Sequence, residues 1–216
     1  MAGTAPAIAA ARDARPTVAP RIGLFGGSFD PVHRAHVQLA RQARDTLGLD
    51  ELRWLPAGRP WQKARTLTAA AHRLAMIEQA IAGEPKFVVD PREIGRDGPT
   101  YTVDTVRECR AERPGVEWVL VIGQDQYAGL HSWQGWRELL GLVTLAVANR
   151  PGVAPAVDPE VQALPHRLVP LPMMEVSSSE VRERLARGQP VDHLVPAAVA
   201  GYIARQGLYR PNPTGS

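Results

Sequence analysis

The stretch IGLFGGSFDPVHRAH, Ile22 to His36, contains the first predicted strand, turn and helix start and the first candidate site. Its apolar start predicts a strand that ends at Gly26 and Gly27. Glycines at such a point permit a tight turn and a close approach of a ligand to the main chain. Pro31 cannot donate a backbone hydrogen bond and disfavours helix at the residue before it, so a helix should begin near Val32 or His33. The stretch therefore predicts a strand, a turn and a helix in succession.

Two histidines, His33 and His36, fall on neighbouring positions of the first turns of that helix. A helix N-terminus carries partial positive charge and exposed N–H groups that suit a phosphate, so both side chains could reach an anion there. Zinc ligation needs at least a third ligand and usually an HExxH-like setting, whereas Arg34 and Ala35 separate these histidines. The adjacent glycines also lack the spacing of a dinucleotide-binding fingerprint. Taken alone, the pair fits phosphate binding and a structural role equally well.

Short apolar runs alternate with helix-length segments from Arg21 onward. Such alternation implies βαβ crossovers, so we predict an α/β fold with a Rossmann-like, doubly wound parallel sheet in a single domain, residues 21–210. Ligands of these sheets bind at the carboxyl ends of the strands, where the strand order reverses. The predicted strands are RIGLF, ELRWLPA, KFVVD, VEWVLVIG, LVTLAVA and RLVPLP, and the predicted helices are RAHVQLARQARDTLG, TAAAHRLAMIEQAIAG, TYTVDTVRECRAER, GWRELLG and PAAVAGYIARQG.

Composition narrows the class of protein. The 216 residues are 44% hydrophobic, enough for one core, and the formal net charge of +3 is spread along the chain without a dense basic run. We therefore expect no nucleic-acid or membrane partner, although small anions remain suitable ligands. The single cysteine, Cys109, excludes an intrachain disulfide and fits a reducing, cytoplasmic setting. We predict that residues 1–20 are a disordered extension and residues 211–216 a disordered tail; a homo-oligomer is left open.

The opening stretch resembles a known signature. GGSFDPVHRAH is similar to the GxFDPxHxGH motif of the nucleotidyltransferase superfamily, with Ala35 where that pattern usually has Gly. VSSSEVRERL, from Val176, resembles the ISSTxIR motif that accompanies it. A serine there can cap the next helix, and an arginine on its first turns has a guanidinium fork suited to phosphate oxygens. VIGQDQ, GPTYTVDTV and GLHSWQGW complete a set that resembles the bacterial nicotinate mononucleotide adenylyltransferases over about residues 21–210.

The resemblance implies site residues in two groups. For the ATP side it implies phosphate contacts from His33, His36, Lys63, Arg182 and Ser178 or Ser179, a turn lined by Gly26, Gly27, Ser28 and Phe29, and ribose contacts from Gly123 and Asp125. For the nicotinate end it implies Thr102 and Trp133, with the indole stacked on the pyridine ring. Trp118 and Tyr101 are expected to pack instead. Gln62 stands where the family often has His, which puts any role of that histidine in doubt; for Ala35 we expect a slight shift of helix against phosphate at most.

The resemblance implies adenylyl transfer from ATP to nicotinate mononucleotide, which gives nicotinate adenine dinucleotide and pyrophosphate in NAD biosynthesis. ATP is then a substrate, and Mg²⁺ is expected to be held by the phosphates and water rather than by protein metal ligands. Three other interpretations remain. The acceptor could be nicotinamide mononucleotide or phosphopantetheine, the fold could serve a non-catalytic nucleotide-binding module, or the histidines could belong to a zinc hydrolase.

Overall fold

A computed structural model describes residues 19–58, 67–149 and 156–210. Its centre is a six-stranded sheet in the order β3-β2-β1-β4-β5-β6. Every strand pairing in these described ranges is parallel. The predicted α/β, Rossmann-like parallel sheet is therefore confirmed. The strands are β1 (Arg21–Gly27), β2 (Glu51–Pro56), β3 (Phe87–Val89), β4 (Glu117–Ile122), β5 (Thr144–Asn149) and β6 (Arg167–Pro170).

Helices connect the strands and cover both faces of the sheet. All the predicted helices are present, including the one that a serine of the Val176 segment was expected to cap. Two short helices and a 3-10 turn, Leu130–Ser132, were not predicted. These extra elements span three to five residues each, too short for helical periodicity to show. The helices are α1 (Arg34–Leu47), α2 (Ala70–Ile81), α3 (Thr102–Glu112), α4 (Gln124–Ala128), α5 (Trp136–Leu142), α6 (Pro159–Gln162), α7 (Ser178–Ala186) and α8 (Ala197–Gln206).

The core lies in two layers because successive strand residues point to opposite faces of the sheet. In β4, Trp118 and Leu120 join the cluster beneath α3 and α5, whereas Val119 and Val121 join the cluster beneath α1, α2 and α8. Trp118 is 2% exposed, which confirms its predicted packing role. Both faces of the central strands are thus buried, and the polar ends of those strands are left for a ligand.

The strand order reverses beside β1, which pairs with β2 on one side and with β4 on the other. The carboxyl ends of β1 and β4 carry Gly27 and Gly123, so the turns after them flank one crevice. Gly27 has a steric reason to lack a side chain, since a Cβ atom there would lie 2.8 Å from the ring of Phe29. The turn after β1 folds back onto its own strand and starts α1 at the crevice.

Some predictions fall beyond these ranges. Residues 1–18 and 211–216, predicted to be disordered, and the segment with Gln62 and Lys63 lie outside the described residues. Within the described ranges, no helix combines the length and the apolar character needed to cross a bilayer.

Candidate active site

A cavity of about 670 Å³ opens at the crevice between the ends of β1 and β4. It brings together twelve of the fourteen predicted site residues, drawn from five separate stretches of the chain. Phe29 does not line it, and Lys63 lies outside the described residues. The predicted residues that line it are Gly26, Gly27, Ser28, His33, His36, Thr102, Gly123, Asp125, Trp133, Ser178, Ser179 and Arg182.

His33 and His36 sit at the N-terminus of α1, where His33 is the N-cap residue. Their rings are stacked, with centroids 3.6 Å apart and planes inclined by 20°. The backbone N–H of His33 donates to Nδ1 of His36 over 3.2 Å. Because Nδ1 accepts that bond, the proton of a neutral His36 ring lies on Nε2, which makes Nε2 a donor. Ala35 also lines the cavity and is 2% exposed, so its methyl group is part of the packed wall.

Phe29 lies behind the cavity wall, 1% exposed and with a positive φ of 47°. Its ring packs edge-on against His36 with centroids 5.1 Å apart, and against Phe25 at 5.4 Å. The side chain therefore supports the imidazole from the core side. Direct contact of Phe29 with a nucleotide stays a prediction.

A second helix N-terminus faces the same cavity. Ser177 caps α7 by accepting a hydrogen bond from the N–H of Glu180 over 3.1 Å. Ser178 donates to the carbonyl of Pro31 over 2.9 Å, which ties α7 to the turn before α1. Arg182 donates through Nη1 to the carbonyl of Asp30 over 2.7 Å. These bonds hold the two helix starts side by side.

The end of β4 supplies a third group. Gly123 donates its N–H to Oε1 of Gln126 over 3.1 Å, which fixes the start of α4. Asp125 is exposed on the first turn of that helix and lines the cavity. The carboxylate of Asp125 therefore lies at the carboxyl end of β4, the edge of the sheet where ligands bind.

The start of α3 and the loop before α5, which pack on the opposite face of the sheet from α1, also line the cavity. Thr102 is the first residue of α3, and Tyr101 is its N-cap. Trp133 is half-buried, packs partly against the core and still lines the cavity. Tyr101 does both as well, so it packs as expected but also contributes wall surface.

Sequence reasoning missed Arg73, a charged residue on the apolar face of α2 that is 2% exposed. Its guanidinium donates to the carbonyls of Ser28, Ala57 and Thr68 over 2.8 to 3.0 Å. It therefore ties the turn after β1 to the segment after β2. The sequence does indicate its burial, because Arg73 lies three and four residues before the apolar Met76 and Ile77 and so falls on the same face of the helix.

Sequence reasoning also missed Glu93, which lines the cavity and is 8% exposed. Its Oε1 accepts from the hydroxyl of Thr105 over 2.8 Å, and that hydroxyl accepts from Arg96 over 2.8 Å. Desolvation by burial raises the pKa of Glu93 above its ordinary value, against the bond from Thr105 and the charge of Arg96. No local pattern marks this residue, because it lies in an irregular loop.

The chain is similar to known nucleotidyltransferases. The cytidylyltransferase-like family model matches residues 24–184. A Methylibium petroleiphilum protein named "Probable nicotinate-nucleotide adenylyltransferase" is 52% identical over 197 residues, which cover 88% of this chain and 93% of the relative. A Bordetella petrii protein of the same name is 50% identical, with 88% and 99% covered.

A solved structure supports the fold alone, because its sequence identity is 20%. It is the Plasmodium falciparum nicotinic acid mononucleotide adenylyltransferase complexed with APC, with a TM-score of 0.72 over 88% of this chain and 97% of that one. The same enzyme complexed with NaAD gives the same values. With half of the aligned positions identical over nearly the full length of curated relatives, this chain belongs to the nicotinate-nucleotide adenylyltransferase family within the cytidylyltransferase-like group.

Proposed function

We propose that this chain transfers the adenylyl group of ATP to nicotinate mononucleotide and releases pyrophosphate. One observation carries the proposal: two helix N-termini, with His33, His36 and Arg182, converge on a cavity that Trp133 also lines. A cavity of about 670 Å³ falls within the roughly 300–1,000 Å³ of small-molecule sites. The family to which the chain belongs supports the same reaction.

At the phosphate end, the proposed role of His33, His36, Ser178, Ser179 and Arg182 is to hold the triphosphate. The Nε2–H of His36 and the guanidinium of Arg182 are donors, and the helix starts add positive dipole ends. Lys63 is proposed to add a further cation, and Gly123 and Asp125 to bind the ribose. Gly26, Gly27 and Ser28 would let the nucleotides approach the main chain.

At the acceptor end, Trp133 is proposed to stack its indole on the pyridine ring, and Thr102 to hold the same ring from the start of α3. The half-buried position of Trp133 supports this role, because the indole packs partly against the core and also lines the cavity. Tyr101 and Thr100 form the adjoining wall, where backbone groups near a helix start suit a carboxylate.

The chemistry requires little from acid–base groups. An oxygen of the mononucleotide phosphate attacks the α-phosphorus of ATP, a new P–O–P bond forms, and the bond to the pyrophosphate oxygen breaks. A phosphate with a second pKa of about 6 is already a nucleophile at neutral pH, so no general base is needed. Catalysis then depends on in-line positioning and on stabilising developing negative charge. Burial raises the pKa of the Cys109 thiol to about 11, so that thiol is a neutral core group rather than a nucleophile.

Mg²⁺ fits this donor set as a phosphate-bound ion. The described lining residues include only the carboxylates of Glu93 and Asp125, and Glu93 is buried against Thr105. Such an ion keeps several waters and is bound mainly through substrate phosphates, with Asp125 as the exposed carboxylate nearby. When bound, it neutralises charge that develops on the phosphates.

An acceptor comparison tests the proposal. The protein is incubated with ATP and Mg²⁺ and with nicotinate mononucleotide, nicotinamide mononucleotide or phosphopantetheine, and pyrophosphate release is measured for each. We expect the largest kcat/KM for nicotinate mononucleotide. A larger kcat/KM for another acceptor would identify that acceptor as the substrate instead. If no acceptor gave pyrophosphate, the result would favour a non-catalytic binding module. A cytoplasmic location and homo-oligomerisation stay predictions.

A further inference from the structure

The side chain of Asp30 is fully buried at the turn between β1 and α1. Its Oδ1 accepts from the hydroxyl of Tyr209 over 2.7 Å, and its Oδ2 accepts from the N–H of Thr68 over 3.3 Å. Tyr209 lies 179 residues further along the chain, beyond the end of α8. A carboxylate taken out of water is costly unless donors surround it, so each of these bonds stabilises the turn.

The C-terminal segment is shaped to make this contact. Gly207 ends α8 with a left-handed φ of 62°, and Leu208 donates its N–H back to the carbonyl of Ile203 over 3.1 Å. Tyr209 itself has a φ of 63°, a conformation that side chains rarely adopt. Desolvation and the bond to Asp30 raise the pKa of Tyr209 well above its usual range, so its hydroxyl stays protonated and donates.

The same turn orients Arg182. The carbonyl of Asp30 accepts from Nη1 of Arg182 over 2.7 Å, while Nη2 donates to the hydroxyl of Ser179 over 3.0 Å. One residue, Asp30, therefore binds Tyr209 through its side chain and Arg182 through its backbone. A change in the position of the carboxylate moves the carbonyl that aims the guanidinium.

We propose that Tyr209 is a positioning residue for ATP: by fixing the Asp30 turn from the C-terminal segment, it sets the direction of the Arg182 guanidinium in the cavity. The inference rests on the proposed function, in which Arg182 contacts the triphosphate. Tyr209 does not line the cavity, and its contact with the site runs through Asp30. Its loss should therefore weaken ATP contacts and leave the acceptor end, lined by Thr102 and Trp133, nearly unchanged.

The test is a double-mutant cycle on the full chain with Y209F, R182A and Y209F/R182A, and with Y202F as the matched control. Tyr202 lies on α8 and bonds His72 over 2.9 Å, and it does not line the cavity, so Y202F removes a tyrosine hydroxyl from the same C-terminal region but away from the cavity. Phenylalanine keeps the ring packing in both variants. The Kd of ATP with Mg²⁺ is measured by calorimetry at about 10 °C, near the usual maximum of stability, after circular dichroism verifies the fold.

For Y209F we expect the Kd of ATP to rise about tenfold, the size of losing one hydrogen bond to a charged group, with the KM of the acceptor changed by less than about twofold. In the R182A background, Y209F should add less than about twofold, because the two residues act on one contact. Equal effects of Y209F in both backgrounds, an unchanged Kd, or the same loss in Y202F would overturn the inference. Failure of the wild type to turn over any acceptor would count against the proposed function instead, since the binding cycle is read without turnover.

Discussion

Gly58→Ala should damage the acceptor end of the cavity through the backbone alone. Gly58 follows β2, and a Cβ atom there would overlap the carbonyl oxygen of Glu93, lie 3.0 Å from its carbonyl carbon and 3.3 Å from Cγ2 of Thr100. Glu93 and Thr100 are buried residues that line the cavity. Because backbone atoms form the obstacle, no side-chain rotation can relieve the overlap, and the loop that carries both residues must move.

The distances set the size of the effect. Real Cβ atoms essentially never come within 3.0 Å of a non-bonded heavy atom, so the overlapping carbonyl oxygen of Glu93 must retreat by about 1 Å and must take its carbonyl carbon with it. Overpacking of this kind costs about 1–3 kcal/mol of stability. A misplacement near 1 Å at a reacting geometry can cost about 10²-fold in rate. We therefore expect kcat/KM for the acceptor to fall by about 10–100-fold, with a smaller change for ATP.

Steady-state kinetics with each substrate varied in turn, together with thermal unfolding, measure both consequences. Gly95→Ala is the matched control, since Gly95 lies in the same loop and a Cβ atom there meets nothing within 4 Å. Gly95→Ala should match the wild type in kcat/KM and in Tm. Wild-type kcat/KM and Tm in Gly58→Ala, or an equal loss of kcat/KM for ATP and for the acceptor, would refute a steric displacement of the Glu93 loop.

Three further changes have defined outcomes. His36→Ala should keep the fold and lower kcat by about 10²–10³-fold, the loss of one transition-state donor, and near-normal turnover would remove its proposed role. Trp133→Ala should raise the KM of the mononucleotide by about tenfold and that of ATP by less than about twofold, as expected for loss of a stacked ring; equal changes would contradict stacking. Glu93→Gln should reduce the pH dependence of the free energy of unfolding. Because burial raises the pKa of Glu93 in the folded protein, the stability that the protonated side chain contributes is complete below the ordinary pKa of 4.5. That stability is lost as the pH rises through the folded-state pKa. Denaturant unfolding at several pH values should show the wild type losing stability relative to Glu93→Gln on that rise, and parallel curves would refute it.

The sequence predicted the elements that depend on local patterns. Alternating apolar runs located all six strands, and the glycines after β1 and β4 located the edge where the cavity lies. The start of α1 was also predicted to within two residues, because Pro31 restricts the residue before it. Side chains placed by a strand end or a helix start, such as Asp125 and Ser178, follow from this framework.

The rest depends on contacts between distant parts of the chain. Asp30 and Tyr209 are 179 residues apart, and Glu93 bonds Thr105 from a loop without periodicity. Neither pair has a local signature, because each is defined by the way the sheet and its helices stack. Gly58 likewise looks like an ordinary loop glycine until the carbonyl of Glu93 is seen against it.

Two arginines, the buried Arg73 and the half-buried Arg182, explain how an anion site is built from loops rich in carbonyl oxygens. The carbonyls of Ser28 and Ala57 accept from Arg73, and that of Asp30 accepts from Arg182. A carbonyl oxygen carries partial negative charge and would repel a polyphosphate, so binding it to a guanidinium inside the protein removes that repulsion before the ligand arrives. Arg73 does this from the core side, and Arg182 does it from the cavity side, where the same guanidinium can also meet the ligand. The donors are therefore arranged in advance, and little reorganisation is left for the moment of reaction.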